Sequence, residues 1–462
     1  MKKLLLIILL PLQLFATQRY ISPTGNDTTG TGSYASPYRS LNKVWSYASA
    51  GDTVYLLTGT YYFSVNQILS GKNGTSGNLI KLWAYPNARP ILNRTASYPG
   101  NIGIQFSGNY VHWRDIEITG YWQRNVTEKT SYGLYVHSAG NCIFERLKIH
   151  DNGMGCAMRG DGATGYPAVL NGNLILNCDF YANKDPYSST PYNNSDGLEF
   201  CYVFDTTAVN TIRGCRFYWN TDDGIDLWYN DGTVIIENCW SFLNGYIPYT
   251  MDSIEFDGYH SGNGFKLGQN HVDLGYRSKH RFIYNCLSVY NYGTGFTHNS
   301  ARCGMTLYNN TAYNNKARGI DINNTNYKSS LRNNIAYLNM ELSLFTAASD
   351  SFSDHNNFTK YGGNNSSYNV TSADFVTDTT GLMSARKSDG SLPDITLMHL
   401  VFGSDLIDTG IDVGRTYRGS APDLGYWEYY VPSVVVVPPP QKGLNSTYTG
   451  KVINYVSKIL KR

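Results

Sequence analysis

The chain repeats a seven-residue motif in which apolar and polar positions alternate and an asparagine stands at the end. Six copies start 37, 24, 47, 24 and 24 residues apart. They read NCDFYAN (177–183), GCRFYWN (214–220), NCWSFLN (238–244), NCLSVYN (285–291), NNTAYNN (309–315) and NNIAYLN (333–339). Looser copies begin at Arg114 and Arg146. A period of 24 with insertions predicts an all-β chain folded as a right-handed parallel β-helix, one coil per repeat.

Equal positions in stacked coils form columns, and two of these columns are predicted to be structural. Cysteine at the second motif position behaves as a small apolar residue, so a buried ladder is favoured over disulfides or a metal cluster. The final asparagines should stack so that their side chains satisfy the backbone of the turns. The two columns are Cys178, Cys215, Cys239 and Cys286, and Asn183, Asn220, Asn244, Asn291, Asn315 and Asn339.

A second strand is predicted after each asparagine, in the segments DGLEF, DDGIDLW, GNGFKLG, GTGFTHN and ARGIDIN. In three coils its glycine comes four residues after the asparagine; in the other two an insertion intervenes. The insertions, between Asn183 and Gly197 and between Asn244 and Gly264, leave from the same corner. Long loops on one face of a solenoid usually build its binding wall, so a groove is expected there.

Strand alternation divides this second strand into two faces. The apolar positions point inward: Leu198, Phe200, Ile225, Leu227, Phe265, Leu267, Ile320 and Ile322. The residues between them form an outer column: Glu199, Asp226, Lys266, Thr297 and Asp321. Because neighbouring coils lie about 4.8 Å apart, Asp226 and Lys266 should be adjacent.

Four carboxylates and one lysine are therefore expected to converge. Asp196 and Asp223 stack at a common turn position, with Asp222 beside them and Asp226 on the strand that follows. Close carboxylates repel one another unless positive charge lies among them, and hard oxygen ligands of this kind suit Ca²⁺. The alternative is a solvated, aspartate-rich turn column that binds nothing.

Composition narrows the class of protein. With a net charge of +2 and 16% charged residues, no broad nucleic-acid-binding surface is expected. The 45 glycines and 39 tyrosines are typical of a turn-rich extracellular β protein. Residues 1–16, MKKLLLIILLPLQLFA, have the pattern of a signal peptide, and no later apolar run is long enough to span a membrane. The protein is expected to be exported, to the periplasm or beyond the cell, and to act as a monomer.

The predicted domain organisation follows from where the repeat stops. The catalytic β-helix should occupy residues 17–345, and residues 346–430 should form C-terminal coils or a capping segment that packs along it. Residues 431–462 read as a strand, a proline linker and a short basic tail, to which no function is assigned.

Three motifs in order, NNSDGLEF, WNTDDGIDLW and GNGFKLG, resemble polysaccharide lyase family 9, whose members cleave galacturonate-containing backbones. Two C-terminal segments, ARKSDGSLPDITLMHLVFGSDLIDTGIDVG and APDLGYWEYY, resemble its end region, so that the resemblance covers about residues 18–430. It implies that Lys266 is the catalytic base and that calcium is held by Asp196, Asp222, Asp223 and Asp226. Glu199 has no counterpart in this pattern and either joins the ion shell or forms an ion pair.

The chemistry agrees with this resemblance. The C5 proton of a uronate becomes removable when a cation neutralises the adjacent carboxylate, and a base then drives β-elimination to a 4,5-unsaturated product. The expected partner is an acidic plant polysaccharide, the pectin backbone, either homogalacturonan or rhamnogalacturonan I. The insertions are rich in Tyr and poor in Arg and Lys, which favours the second. Candidate substrate-binding residues are Glu199, His271, Arg277 and Arg302, with Lys279 as a further source of positive charge.

Two alternatives remain at this point. NTDDGID resembles the first motif of family 28 polygalacturonases, hydrolases that use paired aspartates, but their later Gly-His-Gly and Arg-Ile-Lys motifs have no match beyond GYHSGNG. The other alternative is a non-catalytic glycan-binding β-helix whose tyrosines stack on sugars.

Overall fold

Short strands joined by tight corners form nearly all the regular structure. The computed structural model describes residues 16–98, 100–126, 131–160, 169–250, 252, 262–269, 279–324, 326–348, 351–359, 363–376 and 381–430. Residues up to Tyr429 belong to one unit, and a second, Tyr430–Arg462, lies outside the described residues beyond its first residue. Residues 1–15 of the predicted signal peptide also lie outside them.

The strands are numbered in chain order. The first sixteen are β1 (Gln18–Ile21), β2 (Thr53–Leu56), β3 (Gly59–Phe63), β4 (Gln67–Leu69), β5 (Ile80–Ala84), β6 (Pro90–Arg94), β7 (Ile102–Asn109), β8 (Val111–Arg114), β9 (Glu117–Thr119), β10 (Tyr132–Gly140), β11 (Ile143–Glu145), β12 (Lys148–His150), β13 (Met154–Arg159), β14 (Leu170–Asn171), β15 (Leu174–Leu176) and β16 (Asp179–Tyr181). The remainder are β17 (Leu198–Cys201), β18 (Val209–Arg213), β19 (Arg216–Tyr218), β20 (Ile225–Asp226), β21 (Thr233–Glu237), β22 (Trp240–Phe242), β23 (Phe265–Lys266), β24 (Arg281–Tyr284), β25 (Leu287–Val289), β26 (Phe296–Thr297), β27 (Met305–Tyr308), β28 (Thr311–Tyr313), β29 (Ile320–Asn324), β30 (Ser330–Arg332), β31 (Ile335–Tyr337), β32 (Leu344–Ala347) and β33 (Phe352–Asp354).

Three long sheets run the length of the molecule, and neighbouring strands in each are parallel. Sheet 1 has 12 strands in the order β1-β2-β5-β8-β11-β15-β18-β21-β24-β27-β30-β33. Sheet 2 has 11, in the order β32-β29-β26-β23-β20-β17-β13-β10-β7-β4, with β14 paired to β10. Sheet 3 has 10, in the order β3-β6-β9-β12-β16-β19-β22-β25-β28-β31. Each coil contributes one strand to sheet 1, then one to sheet 3 and one to sheet 2, which confirms the predicted parallel β-helix.

Helical structure is limited to short segments in the described ranges. Helix α1 (Leu41–Trp45) begins after Ser40, whose side chain accepts a hydrogen bond from the Lys43 backbone N–H. Trp45 packs edge-on against Phe106 in the core of the first coils. A 3₁₀ turn covers Ser372–Asp374. No helix in the described part of the chain has the length and apolar content that crossing a bilayer requires.

At two corners in each coil the backbone adopts the left-handed conformation, with positive φ. The first residue of the motif has positive φ, as in Asn177 (55°), Gly214 (65°) and Asn238 (53°), which explains why asparagine or glycine stands there. The residue before the final asparagine also has positive φ, although it is Trp219 in one coil and Leu243 in the next. Bulky side chains disfavour this conformation, so neighbouring interactions must stabilise the second corner.

The predicted asparagine column supplies these interactions. From Asn183 to Asn339, each Nδ2 donates to the Oδ1 of the next asparagine at 2.8 to 3.0 Å. The same Oδ1 accepts from the backbone N–H of the preceding asparagine, for example Asn220 to Asn244 at 3.1 Å. Because the first five side chains are fully buried, every bond forms away from water. The asparagine prediction is confirmed.

The cysteine column is confirmed as well. Cys178, Cys215, Cys239 and Cys286 are fully buried and free. The backbone N–H groups of Cys178 and Cys215 each point at the sulfur of the next cysteine, at 3.4 Å. Asparagine replaces cysteine in this column at Asn310, Asn334 and Asn356, where the amide side chains form a second ladder.

The described part of the C-terminal segment packs on the outer face of sheet 3. Tyr218, Trp240 and Phe242 point outward from that sheet and form one apolar cluster with Leu382, Leu397, Leu400 and Leu424, among others. The outer aromatic rings also stack from coil to coil, with centroids 4.7 Å apart between Tyr218 and Phe242. Strand β32 spans residue 345 and β33 lies beyond it, in the segment predicted to form C-terminal coils or a cap, and the domain boundaries remain predictions.

A buried ion cluster holds this segment in place. Asp179 accepts from Arg216 at 2.7 and 2.9 Å and from Arg386 of the C-terminal segment at 2.8 Å. Arg216 also donates to the carbonyl oxygens of Leu382 and Ser384. Burial raises the pKa of Asp179, but the two guanidinium groups outweigh it and hold the pKa below its ordinary value.

Replacing this carboxylate should weaken the fold. We expect Asp179→Asn to lower the free energy of unfolding by about 3–5 kcal/mol at neutral pH, because it leaves two buried guanidinium groups without their partner. Since the pKa is depressed in the folded state, this stability is present above the unfolded pKa and is lost as pH falls through the folded value. Urea unfolding at neutral and acidic pH measures both effects.

The matched control is Asp354→Asn, which removes a partly exposed ion pair with Arg332. It should cost less than about 1 kcal/mol. Equal losses in the two variants would contradict the role given to the buried cluster.

Candidate active site

The outer face of sheet 2 carries the predicted column in the predicted register. Glu199 pairs with Asp226, Asp226 with Lys266, Lys266 with Thr297, and Thr297 with Asp321. The apolar residues on either side, from Leu198 to Ile322, are fully buried in the core. Alternation along β17, β20 and β23 therefore places one chemically distinct side chain per coil on this face.

Three of the predicted aspartates form a tight group. Carboxylate oxygens of Asp196, Asp223 and Asp226 all lie within 4.8 Å of one another. Asp196 precedes β17 and Asp223 precedes β20, and the Asp223 backbone N–H donates to Asp196 Oδ1 at 3.1 Å. Asp222 is buried nearby but is not a member of this group. The group could hold a metal ion.

The lysine reaches into the group from the next coil. Lys266 Nζ lies 2.9 Å from Asp223 Oδ2 and 2.9 Å from Asp226 Oδ2. Its side chain keeps 20% of its surface exposed, whereas the two carboxylates are almost fully buried. The ammonium is therefore both the counter-charge of the aspartates and the part of the site that reaches solvent.

Burial and the neighbouring charges shift the pKa values of four groups in the site, Asp196, Asp222, Asp226 and Lys266. Burial, then the neighbouring aspartates, raise the pKa values of Asp196 and Asp222 well above the ordinary range. The pKa of Asp226 rises to about 7 for the same reasons, against the opposing effect of Lys266. Burial lowers the pKa of Lys266, but the four aspartates outweigh it and hold the pKa well above its usual value.

A turn residue that the sequence analysis overlooked supports the group. Asn263 donates to Asp223 Oδ1 from its backbone N–H at 2.7 Å and from its side chain at 2.8 Å. Its own Oδ1 accepts from the Thr294 backbone N–H. Asn263 directly precedes Gly264, as Asp196 and Asp223 directly precede their glycines. This shared position relative to the glycine was the sequence signal that could have identified Asn263.

The glycine after each turn is required by the close approach of the coils. A Cβ on Gly224 would lie 2.2 Å from Ser241 Oγ and 2.6 Å from the Gly264 carbonyl oxygen. A larger residue would push Asp223 away from its neighbours, which explains why glycine stands at this position in each of the five coils.

Glu199 forms an ion pair rather than completing the aspartate group. Its Oε2 accepts from Arg159 Nε at 3.0 Å and Nη2 at 2.6 Å, and Cys201 Sγ lies 2.8 Å from Oε1. Arg159 lies over the rings of Tyr132 and Tyr202. Arg159 was missed because its segment, MGCAMRG, contains none of the repeated motifs.

The other predicted substrate-binding residues are not tested by these contacts. Arg302 is half-buried in the turn between β26 and β27, one coil beyond Lys266. Lys279 lies just before β24. His271 and Arg277 lie outside the described residues. All remain predictions for substrate binding.

The donor set fits a divalent cation. Asp226 Oδ1 is buried and accepts no hydrogen bond from the described residues, which leaves one hard oxygen of the group uncommitted. Carboxylates within 4.8 Å of one another can share an ion that binds oxygen at about 2.3–2.6 Å. The residues that would hold it are Asp196, Asp223 and Asp226.

Comparison with known proteins agrees with this geometry. The family model described as "Pel9A-like, right handed beta helix region" matches residues 19–318. Pectate lyase L of Dickeya chrysanthemi is 32% identical over 426 residues, 88% of this chain and 90% of its own length. Pectate lyase PEL9 of Emericella nidulans is 30% identical over 66% of this chain and 75% of its own length.

Two solved structures share the fold over most of both chains. Pectate lyase Pel9A superposes with a TM-score of 0.70 and 26% identity, covering 90% of this chain and 96% of its own. A rhamnogalacturonan lyase gives a TM-score of 0.67 and 25% identity, covering 84% and 97%. The chain belongs to the Pel9A-like family of right-handed β-helices, polysaccharide lyase family 9, and is a polysaccharide lyase. The resemblance, the fold and the enzyme class are confirmed.

The crowding of carboxylates should make the ion-free protein less stable as pH rises. A carboxyl whose pKa is about 7 in the folded state and about 4 in the unfolded state stabilises the fold below pH 4 and loses that effect towards pH 7. In chelator, Asp226→Asn should equal wild type at pH 4 and exceed its unfolding free energy at pH 7 by up to roughly 4 kcal/mol.

Urea titrations at several pH values measure the difference. Asp412→Asn, at an exposed turn, is the control and should follow wild type. A variant that is less stable than wild type at pH 7 would contradict the pKa assigned to Asp226.

Proposed function

We propose that the protein is a calcium-dependent lyase that cleaves the galacturonate-containing backbone of pectin by β-elimination, with Lys266 as the base. The observation that carries the proposal is the position of Lys266 Nζ, 2.9 Å from each of two carboxylates in a group of three. A general base must lie within reach of both the reacting carbon and the group that makes its proton acidic.

The aspartates bind and orient in this proposal. Asp196, Asp223 and Asp226 would hold calcium, with Asp222 as the fourth ligand that the family pattern implies. Calcium when bound supplies neutralisation of the uronate carboxylate and stabilises the negative charge that develops on it. Buried hydrogen bonds from Asn263 keep Asp223 in place, so that the carboxylates meet the substrate without rearranging.

Lys266 must lose a proton before it can accept one from C5. In the ion-free arrangement the aspartates stabilise its charged form and raise its pKa. Aspartates that bind a cation no longer stabilise the charged form of Lys266. The burial of Lys266 then lowers its pKa and favours the neutral amine. The neutral base is thus available at mildly alkaline pH, and the O4 leaving group departs as the C4–C5 double bond forms.

The charge of the groove favours rhamnogalacturonan I over homogalacturonan. A polysaccharide backbone with a carboxylate on every sugar is best bound by several Arg or Lys side chains that are not already paired with acidic residues. Arg159 is paired with Glu199, and Arg318 with Asp321 and Glu341. Tyr202, half-buried beside Arg159, offers a stacking surface for a neutral ring. The solved structure named rhamnogalacturonan lyase agrees with this preference, and the relatives named pectate lyase make homogalacturonan the second candidate.

Export is part of the proposal, because plant cell-wall polysaccharide lies outside the cell. The N-terminal sequence MKKLLLIILLPLQLFA supports export through a cleaved signal peptide, to the periplasm or the exterior. Cell fractionation with an antibody against the mature chain would show where it accumulates.

Lys266→Ala and Lys266→Arg should both lower kcat by about 10²–10⁴ with little change in KM, because the base is lost. Lys266→Arg keeps the positive charge beside the aspartates but cannot become neutral, so it separates the chemical role from the structural one. Wild type should show an alkaline optimum. The measurement is ultraviolet absorbance of the unsaturated product across a pH series.

Lys148→Ala, on the outer face of sheet 3, is the matched control and should retain wild-type activity. An active Lys266→Arg variant, or a bell-shaped pH profile centred below neutrality, would remove Lys266 from the role of base.

The backbone is identified by assaying purified protein on polygalacturonate and rhamnogalacturonan I in parallel, each with calcium and with chelator. We expect a calcium-dependent rise in absorbance that is larger on rhamnogalacturonan I. A larger rise on polygalacturonate would reverse the substrate preference. New reducing ends without absorbance would indicate hydrolysis and contradict the proposed reaction.

A further inference from the structure

A pocket lies at the corner between sheet 1 and sheet 3, beside the C-terminal segment. Its floor is formed by the first motif residues of four successive coils: Asn177, Gly214, Asn238 and Asn285. Trp240 of β22 and Trp427 of the C-terminal segment also line it. The volume of this corner pocket is about 400 Å³, within the range of sites that bind small molecules. Because Lys266 lies on sheet 2, the corner pocket is separate from the active site.

The amide side chains on the floor of the corner pocket are available to a ligand. Further along the same column, Asn309 is covered by the C-terminal segment and donates to the Asp423 carbonyl oxygen at 3.0 Å. In contrast, the side chains of Asn177, Asn238 and Asn285 form no hydrogen bond with any residue that the structure describes. An amide can donate two hydrogen bonds and accept others, so this row of amides can match the hydroxyl groups of a sugar.

Trp427 gives the corner pocket a rigid apolar surface. The side chain is 43% exposed. One face of its ring stacks on His399, with the ring centroids 4.3 Å apart and the planes 10° from parallel. His399 therefore fixes the orientation of the indole and leaves the opposite face to a ligand. An indole held in this way offers a large flat contact to the C–H face of a sugar ring.

The charged residues that line the corner pocket are paired with acidic residues. Lys387 pairs with Asp394, and Arg213 pairs with Glu237. Among the described residues that line the pocket, these are the two cations, and neither is left unpaired for a sugar carboxylate. The charges therefore favour a neutral sugar over a uronate.

We propose that the corner pocket is a non-catalytic binding site for a neutral oligosaccharide. In this site Trp427 stacks on a sugar ring, and the amides of the floor, Asn238 among them, bind the hydroxyl groups. The binding requires neither calcium nor Lys266. In a lyase that acts on a branched pectin, the pocket would hold neutral side chains while sheet 2 binds the acidic backbone. Only this last role rests on the proposed function.

Isothermal titration of the full-length protein with tetrasaccharides tests the ligand class. The neutral probes are β-1,4-linked galactotetraose and α-1,5-linked arabinotetraose, and the acidic probe is tetragalacturonate, each measured with chelator and with calcium. We expect at least one neutral probe to bind with an affinity that calcium does not change, and to bind more tightly than tetragalacturonate in chelator. The proposal is overturned if neither neutral probe binds, or if tetragalacturonate binds as tightly in chelator.

Two variants locate the binding in the corner pocket. Trp427→Ala should weaken binding of the neutral probe about tenfold, because the stacking surface is lost. Asn238→Gly should weaken it roughly threefold to tenfold. Glycine suits the left-handed corner at Asn238, as Gly214 shows one coil earlier, so this variant removes the amide without straining the backbone. Wild-type affinity in both variants would overturn the site.

The matched control is Phe402→Ala, which removes an exposed aromatic ring of the C-terminal segment outside the corner pocket and should bind the probe as wild type does. Circular dichroism shows whether each variant is folded. All three variants should also retain wild-type lyase activity on an unbranched backbone fragment, because none of them alters sheet 2. An inactive wild type that still binds the neutral probe through Trp427 would contradict the proposed function and leave the corner pocket supported.

Discussion

The hydrogen-bonded asparagine ladder is the constraint on which the active face depends. Each amide side chain satisfies both the next asparagine and the backbone of the preceding corner, so a change in one coil disturbs two others. It also stabilises the left-handed corners at Trp219 and Leu243, whose bulky side chains disfavour that backbone conformation. With those corners set, the glycine four residues after Asn220 brings Asp223 to the edge of sheet 2. The register of Asp226 beside Lys266 follows.

The site combines charges that a purely structural core would avoid. Asp196, Asp223 and Asp226 are buried, and one lysine, whose side chain is 20% exposed, partly compensates their charge. Such an arrangement costs folding free energy, and proteins keep violations of this kind mainly at functional sites. The rigid ladders on either side hold the carboxylates in place against their repulsion. Preorganisation of that kind is what charge stabilisation in a reaction requires.

The sheets of the β-helix differ in what their outer faces do. Sheet 3 packs on both faces, because Tyr218 and Phe242 are covered by the described part of the C-terminal segment, which is fastened through Asp179. Sheet 2 instead presents the polar column from Glu199 to Asp321. The same three-residue strands therefore serve packing on one side of a coil and chemistry on another. The hydrolase alternative gave Lys266 no role, whereas family membership and the ion pairs of Lys266 both agree with a lyase.

The sequence by itself determined the repeat, the two ladders, the inward and outward residues of sheet 2, and the convergence of four aspartates with Lys266. It could do so because a solenoid places residues one period apart beside each other, so that Thr297 and Asp321, each six residues after its motif asparagine, become neighbours. Only the tertiary structure decided how the charges pair. Glu199 binds Arg159, from a segment without the motif, and Asp222 falls outside the group of three. Asp185 is buried by an insertion whose path no period describes. These outcomes depend on side-chain reach and loop packing, which differ from coil to coil and leave no periodic trace in the chain.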